Sequence, residues 1–351
     1  MKVIDRLRPV AVTGGTGYLA SWVIKHLLDQ GMIVKTSARK LSGMKAGNLM
    51  KLQDSSEGRL NIIEADLMKE GSFDDVIRDC EVVIHTASPF KVKGVKNYRE
   101  EVIDPALEGT RNILASVNKS PSVKRVILTA SVASVYSDAA DIRFKSDKVF
   151  TSDDWNTTST LRHQPYSYSK TLAEKEAWKI AKAQNRWELV TVHPGFILGP
   201  SLIKRKDSTS IDFMILFMTG QFKMGVPELW FGFVDVRDAA LLHVLAAFNP
   251  KAEGRYIAVE NSYSMVNIAE KLISAFGSKY QVSARRLPDF LFYIFGPFMG
   301  YSMKFVGRNV GYPIKFDNSK SIKELGINYR PIEKSIIDQV NQIESDGLLL
   351  K

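Results

Sequence analysis

Val10-Ala11-Val12-Thr13-Gly14-Gly15-Thr16-Gly17-Tyr18-Leu19-Ala20 is the stretch from which the fold can be read. Val10 to Val12 make a short apolar run that ends in a glycine turn. Tyr18 to Gln30 then carries apolar residues at helical spacing, up to Gly31. The order strand, turn, helix leaves the first backbone N–H groups of the helix, and the positive end of its dipole, facing the turn. A phosphate binds in such a place, and glycine is needed because a Cβ would block its approach. A plain strand-to-helix turn can use the same glycines. The position of this one, opening the first strand–helix–strand unit of the chain, points instead to a dinucleotide fingerprint. Its form is Gly14-x-x-Gly17-x-x-Ala20 rather than Gly-x-Gly-x-x-Gly.

The rest of the first half repeats the pattern. Ile33 to Ser37, Leu60 to Glu64, Val82 to His85, Arg125 to Leu128 and Leu189 to Val192 are short runs rich in Val, Ile and Leu, and each reads as a buried strand. Helical patterns such as Val102 to Val117 and Tyr166 to Ala183 lie between them. Strands separated by helices imply parallel crossovers with helices on both sheet faces, hence an α/β, Rossmann-type doubly wound parallel sheet. After Pro194 the regularity weakens, with helix candidates at Ile211 to Met218 and near Ile268 to Phe276, and a strand and helix from Phe231 to Phe248. The expected division is a nucleotide-binding domain over 1–195 and a smaller, mainly substrate-binding lobe over 196–351. Residues 225–260 return in part to the core. No repeat or flexible linker interrupts the chain.

Composition narrows the function. The 351 residues hold 45% apolar and 25% charged side chains, as in ordinary globular enzymes. Lys and Arg outnumber Asp and Glu by 48 to 38, but no basic block is visible, so nucleic-acid binding is not expected. A single cysteine, Cys80, rules out an intrachain disulfide and a Cys-based zinc site, and no metal is expected. The N-terminus lacks the pattern of a signal peptide, so the cytoplasm is the expected compartment. No apolar stretch reaches the ~20 residues of a membrane span. Phe290 to Tyr301, broken by Gly296-Pro297 and Gly300, reads as a core or lid helix, with peripheral membrane contact as the alternative.

About 20 residues past a glycine motif, an NAD site presents Asp or Glu to the adenosine ribose. Here the sequence is Thr36-Ser37-Ala38-Arg39-Lys40, without an acid. Arg39 and Lys40 suit a 2′-phosphate, which favours NADP(H); the bland alternative is two solvated loop cations. Asp66 and Leu67 follow the third strand and either flank the adenine or cap a turn. Tyr166 and Lys170 lie four apart, so on a helix they share a face about 6 Å apart. A cation there stabilises phenolate and brings the tyrosine, with an ordinary pKa of ~10, closer to general acid/base use. Ser131 ends the run from Arg125 and brings a hydroxyl to the same sheet edge, where it could hold a substrate carbonyl. Tyr168 lacks a lysine four residues on.

As an ordered set these segments resemble the extended short-chain dehydrogenase/reductases, in the dihydroflavonol reductase and cinnamoyl-CoA reductase-like branch. Glu64-Ala-Asp-Leu67, His85-Thr-Ala-Ser-Pro89, Glu108-Gly-Thr-Arg-Asn112, His193-Pro-Gly195 and Phe233-Val-Asp-Val-Arg-Asp238 add to the motifs above, so the resemblance spans nearly the whole chain. It implies that Ser131 and Tyr166 bond the carbonyl oxygen and that Tyr166 donates the proton. It implies that Lys170 lowers the tyrosine pKa and holds the ribose, with hydride coming from nicotinamide C4. It further implies that Thr86, Ala87 and Ser88 line the cofactor, that Pro194, Gly195 and Ile197 pass the nicotinamide, and that Arg39 with Lys40 or Lys45 meets the 2′-phosphate. Tyr136 stands where flavonoid-reducing members carry asparagine, which argues against a dihydroflavonol. His163-Gln164-Pro165-Tyr166-Ser167-Tyr168 replaces the Lys-Asn-Trp-Tyr-Cys-Tyr signature of cinnamoyl-CoA reductases, which argues against a CoA thioester.

The function expected is therefore reduction of a small aldehyde or ketone by NADPH, in a monomer or homodimer. Phe196, Phe213, Phe217 and Phe222 are candidate pocket residues, although their spacing fits core packing better. Two other uses of the same fold stand beside it: a nucleotide-sugar epimerase, dehydratase or hydroxysteroid dehydrogenase, and a non-enzymatic NADP sensor.

Overall fold

The computed structural model describes residues 2–42, 44–88, 94–205 and 208–349, with the side chains at 44–46, 295, 298 and 299 outside that description. Its strands are β1 (Val10–Thr13), β2 (Ile33–Ala38), β3 (Arg59–Glu64), β4 (Val82–His85), β5 (Arg125–Thr129), β6 (Glu188–Pro194), β7 (Phe196–Leu198), β8 (Trp230–Asp235), β9 (Gly254–Ala258) and β10 (Asn261–Ser264). The helices of the first half are α1 (Tyr18–Leu28), α2 (Met44–Asp54), α3 (Asp74–Ile77), α4 (Asp104–Lys119) and α5 (Pro165–Lys182). Those of the second half are α6 (Thr209–Met218), α7 (Val236–Phe248), α8 (Met265–Phe276), α9 (Asp289–Phe295), α10 (Met303–Asn309), α11 (Ser319–Leu325) and α12 (Ile332–Ser345).

Seven strands form one parallel sheet in the order β3-β2-β1-β4-β5-β6-β9. β1 and β4 are buried at every position. Helices cover both faces, which is why these strands read as unbroken apolar runs rather than alternating ones. Val10, Val12, Ile84, Ile127 and Val190 join Leu27 of α1 and Ala239 of α7 in one core. Their strand neighbours Ala11, Val83, Val126 and Leu189 join Ile77, Ile113 and Ala177 of α3, α4 and α5 in another. Each Val, Leu or Ile side chain among them stabilises by about 1.5–3 kcal/mol relative to exposure, so the two layers hold the sheet in place.

The strand order reverses between β1 and β4. Successive crossovers leave in opposite directions there, and a crevice opens at the carboxyl ends of the two strands. At the far side, β6 runs through Gly195 into β7, which leaves the main sheet to pair with β8; β10 pairs with β8 in turn. Glycine is required at 195 because a Cβ would lie 2.3 Å from the Gly232 carbonyl oxygen. Phe217, Phe233, Leu272 and Ile336 form a further core that packs this small sheet against α6, α8 and α12. α7 packs back on α1, and β9 adds the last strand beside β6.

Two details differ from the sequence reading. The helix expected from Val102 is preceded by a π-helical turn, Arg99–Ile103, before α4 begins. Phe290 to Tyr301 is split, as Gly296-Pro297 suggested, into α9 and a 3₁₀ turn, Gly296–Met299. Among the described residues no helix is long and apolar enough to cross a membrane.

Candidate active site

The ends of β1 and β4 are joined by side-chain bonds. Thr13 Oγ1 lies 2.8 Å from His85 Nδ1 and accepts the Ala87 N–H at 3.1 Å, and Thr86 donates its hydroxyl to the Thr13 carbonyl at 2.6 Å. Gly14 follows at φ +70°, with Ala87 so close that an added Cβ would lie 3.0 Å from its Cα. The Gly14 N–H donates to Ser37 Oγ at 2.9 Å and the Gly15 N–H to the Ser37 carbonyl at 3.0 Å, so the end of β2 fixes the turn as well. α1 then starts at Gly17 with no side-chain cap. Uncapped helix N–H groups above a cradle that a Cβ would fill suit the phosphates of a dinucleotide.

Other expected cofactor contacts divide. Arg39 and Lys40 are exposed just past β2, at the same sheet edge, and among the described residues neither pairs with a carboxylate. The Lys45 side chain lies outside the described residues. The Tyr18 hydroxyl is spent on the Gly199 carbonyl at 2.5 Å and Leu19 is in the core, so from these two only the backbone N–H groups face the turn. Asp66 caps its own turn, accepting the Met68 N–H at 3.0 Å, and Leu67 is half-buried with its carbonyl bonded to Asn112. Ser37, which the sequence reading passed over, is a buried polar residue one position before the end of β2.

Ser131, Tyr166 and Lys170 come together at this edge. Ser131 is extended and caps the 3₁₀ turn Val132–Ser134, its Oγ accepting the Ala133 N–H at 3.1 Å. The same side chain lies near enough to Tyr166 to lower its pKa. Tyr166 is the second residue of α5, after Pro165, whose fixed φ suits a helix start. One turn on, Lys170 Nζ lies 6.0 Å from the Tyr166 ring centre and donates to Ser88 Oγ at 3.0 Å. Burial pushes the Tyr166 phenol up to about 12, with the nearby Ser131 hydroxyl pulling it down, and burial pushes Lys170 down to about 8. Burial therefore sets the direction of the tyrosine's shift. Near neutrality the pair is a phenol and an ammonium, a proton donor beside a cation.

Behind Lys170 is a small cavity of about 20 Å³, lined in part by Leu67, His85, Ser88, Thr129 and Glu174, with room for one water. His85 is held neutral there, its pKa pushed to about 3 by burial and then by the charge of Lys170. Glu174, one turn beyond Lys170, is buried and accepts from Arg255 Nε at 2.7 Å, His193 Nε2 at 2.9 Å and Ser134 Oγ at 2.5 Å. Burial would raise its pKa, but His193 and Arg255 outweigh that and hold it well below the carboxylate range. Arg255 belongs to β9, so this ion pair pins α5 to the sheet edge. Helical periodicity alone gives Glu174 no signal that sets it apart from a solvated position.

The expected substrate side is aromatic. Tyr136 stacks on Phe150 at 4.9 Å and meets Phe316 edge-on at 5.4 Å. Phe196 follows Gly195 and packs against Phe213 at 4.8 Å and Phe233 at 5.6 Å. Phe217 and Phe222 are core residues and leave the list of pocket candidates. Pro194 ends β6, and half-buried Ile197 packs on the core beneath.

The sequence model of the NAD dependent epimerase/dehydratase family matches residues 10–264, the span that builds this edge. The chain belongs to that family. A cinnamoyl-CoA reductase of Medicago truncatula is 35% identical over 339 residues, covering 95% of each chain. Tetraketide alpha-pyrone reductase 1 of Arabidopsis thaliana is 35% identical over 344 residues, covering 97% of this chain and 96% of that one. These relatives set this family member in the dihydroflavonol reductase and cinnamoyl-CoA reductase-like branch, as its motifs implied. The crystal structure of the yeast methylglyoxal/isovaleraldehyde reductase Gre2, complexed with NADPH, superposes with a TM-score of 0.77 at 27% identity, over 97% of this chain and 99% of that one. The doubly wound sheet is thus shared with a reductase of small carbonyl compounds.

Proposed function

We propose that this oxidoreductase uses NADPH to reduce an aldehyde or ketone to the alcohol. The observation that carries the reading is Tyr166 placed beside Ser131, with Lys170 one helical turn away, next to a glycine cradle at the switch point of the sheet. Gly14, Thr16, Gly17 and the N–H groups of Tyr18 and Leu19 would hold the pyrophosphate, and Arg39 with Lys40 the 2′-phosphate. Bound NADPH supplies the hydride that reaches the carbonyl carbon. Ser131 and Tyr166 hold the carbonyl oxygen between two hydroxyls. As negative charge grows on that oxygen, Tyr166 gives it the phenolic proton, and Ser131 keeps its hydrogen bond to the same centre. The ammonium of Lys170 steadies the phenolate that Tyr166 becomes.

Tyr136, Phe196 and Phe213 border the substrate side, which favours an apolar substituent on the carbonyl. The segment His163-Gln164-Pro165 before the tyrosine supports a free aldehyde or ketone over a CoA thioester. The test is a panel of aliphatic and aromatic aldehydes, ketones and diketones, with NADPH and NADH, scored for cofactor oxidised per alcohol formed. One NADPH per alcohol is expected. A tightly retained, unchanged cofactor would move the reading to an epimerase, and no turnover on any carbonyl would move it to a sensor.

A further inference from the structure

We propose that Asp138 is a positioning residue whose buried carboxylate locks helix α10 to the residues leading into Tyr166, so that docking of α10 sets the tyrosine's place beside Ser131. Its kinetic consequence rests on the reductase reading above. Asp138 is fully buried. Its Oδ2 accepts from His163 Nε2 at 2.8 Å and Arg308 Nε at 2.6 Å, and its Oδ1 from Asn309 Nδ2 at 2.9 Å and Gln164 Nε2 at 3.4 Å. His163 and Gln164 are three and two residues before Tyr166, while Arg308 and Asn309 end α10 in the distant part of the chain. One carboxylate therefore joins two segments that share no backbone pairing.

The joint bears on a strained point. Gln164 holds φ 56° and ψ 52°, a left-handed conformation that residues with a Cβ rarely take, immediately before Pro165 opens α5. Its side-chain amide reaches both Asp138 and the Ser137 carbonyl, each at 3.4 Å, so the turn that aims Tyr166 is held by side-chain bonds. The second arm of the Arg308 guanidinium donates to Asp141 Oδ1 at 2.6 Å, and the other Asp141 oxygen accepts the Asp138 N–H at 3.1 Å. Asn309 accepts the Ala139 N–H at 2.9 Å. Arg308 thus spans two carboxylates with its planar fork, which lysine's single ammonium cannot reproduce. Burial would raise the Asp138 pKa, but its bonds to His163, Arg308 and Asn309 outweigh that and keep it low, so four donors converge on a buried charge. Losing α10 exposes that charge and removes two of the four donors that fix the carboxylate on which Gln164 rests.

The experiment compares wild type, Arg308→Ala and Arg308→Lys by hydrogen–deuterium exchange over residues 160–170 and by steady-state kinetics with NADPH and a carbonyl from the panel. The side-chain bonds of Arg308 go to Asp138 and Asp141, so a remote effect is being measured. Arg308→Ala is expected to speed exchange of the 163–168 amides at least tenfold. It is expected to lower kcat about tenfold to hundredfold, the scale of a misplaced catalytic group, with Kd for NADPH unchanged. Arg308→Lys should fall between the two in both readouts, and it carries the comparison if the alanine variant does not fold. Unchanged exchange at 163–168 would overturn the proposal. So would a fall in kcat matched by an equal loss of NADPH binding, the sign of general unfolding. If the wild type reduces no carbonyl, the reductase reading fails, while the exchange data still decide whether Asp138 forms the lock.

Discussion

On one side of the crevice, β1, β2 and β4 meet through Thr13, Ser37, His85 and Thr86, and the turn between them is fixed by backbone donors and a glycine at positive φ. On the other, Phe196, Phe213 and Phe233 lean ring on ring above the small sheet, and Tyr136 rests on Phe150 and Phe316. The first side is specified by directional bonds and by the absence of Cβ atoms, so it admits one ligand geometry. The second is specified by volume, so a change of ring size can reshape it without disturbing the sheet. A fold built this way can keep one cofactor while its substrates diverge.

The sharpest way to break that contrast is Gly14→Val. A branched side chain at φ +70°, against Ala87, should weaken NADPH binding at least a hundredfold, on the ~1–3 kcal/mol strain scale compounded by blocked access; titration of Kd checks it. Phe217→Ala removes a fully buried ring from the second side. It should cost about 3–5 kcal/mol of stability in denaturant unfolding while leaving the NADPH Kd of the folded protein unchanged. Arg39→Ala should lower the NADPH-over-NADH preference in kcat/KM about tenfold to hundredfold, since a hydrogen bond to a charged group contributes roughly 1.5–3 kcal/mol. NADH kinetics should not move. The mildest effect is on pH. Lys170 has its pKa depressed to about 8, so the ammonium is present below that value and lost as pH rises through it. kcat/KM for reduction should therefore fall above about pH 8 with the loss of one proton. Tyr166, at about 12, stays a phenol across that range.

The nucleotide-binding half was legible because parallel strands covered on both faces leave a plain signal, runs such as Val82 to His85 between helical patterns. Ser131, Tyr166 and Lys170 were legible because chemistry ties their types to strand ends and one helical turn. What stayed hidden are pairings of residues distant in sequence. Glu174 with Arg255, and Asp138 with Arg308, each join charges from elements brought together only by the fold. Periodicity carries no trace of such contacts. Tyr18 makes another such pairing: its hydroxyl reaches Gly199 across the fold, which leaves its backbone N–H to face the glycine turn. Phe217 and Phe222 followed the helical spacing of core residues, and core is where they are.

The central claim is that Tyr166 gives the proton while the opposite edge of the site holds the cofactor by itself. Tyr166→Phe separates the two, since it removes one hydroxyl and keeps the ring. NADPH oxidation coupled to alcohol formation should fall at least about a hundredfold, in the range of lost general acid catalysis, with the NADPH Kd within about twofold of wild type. Turnover near the wild-type rate in this variant would contradict the account.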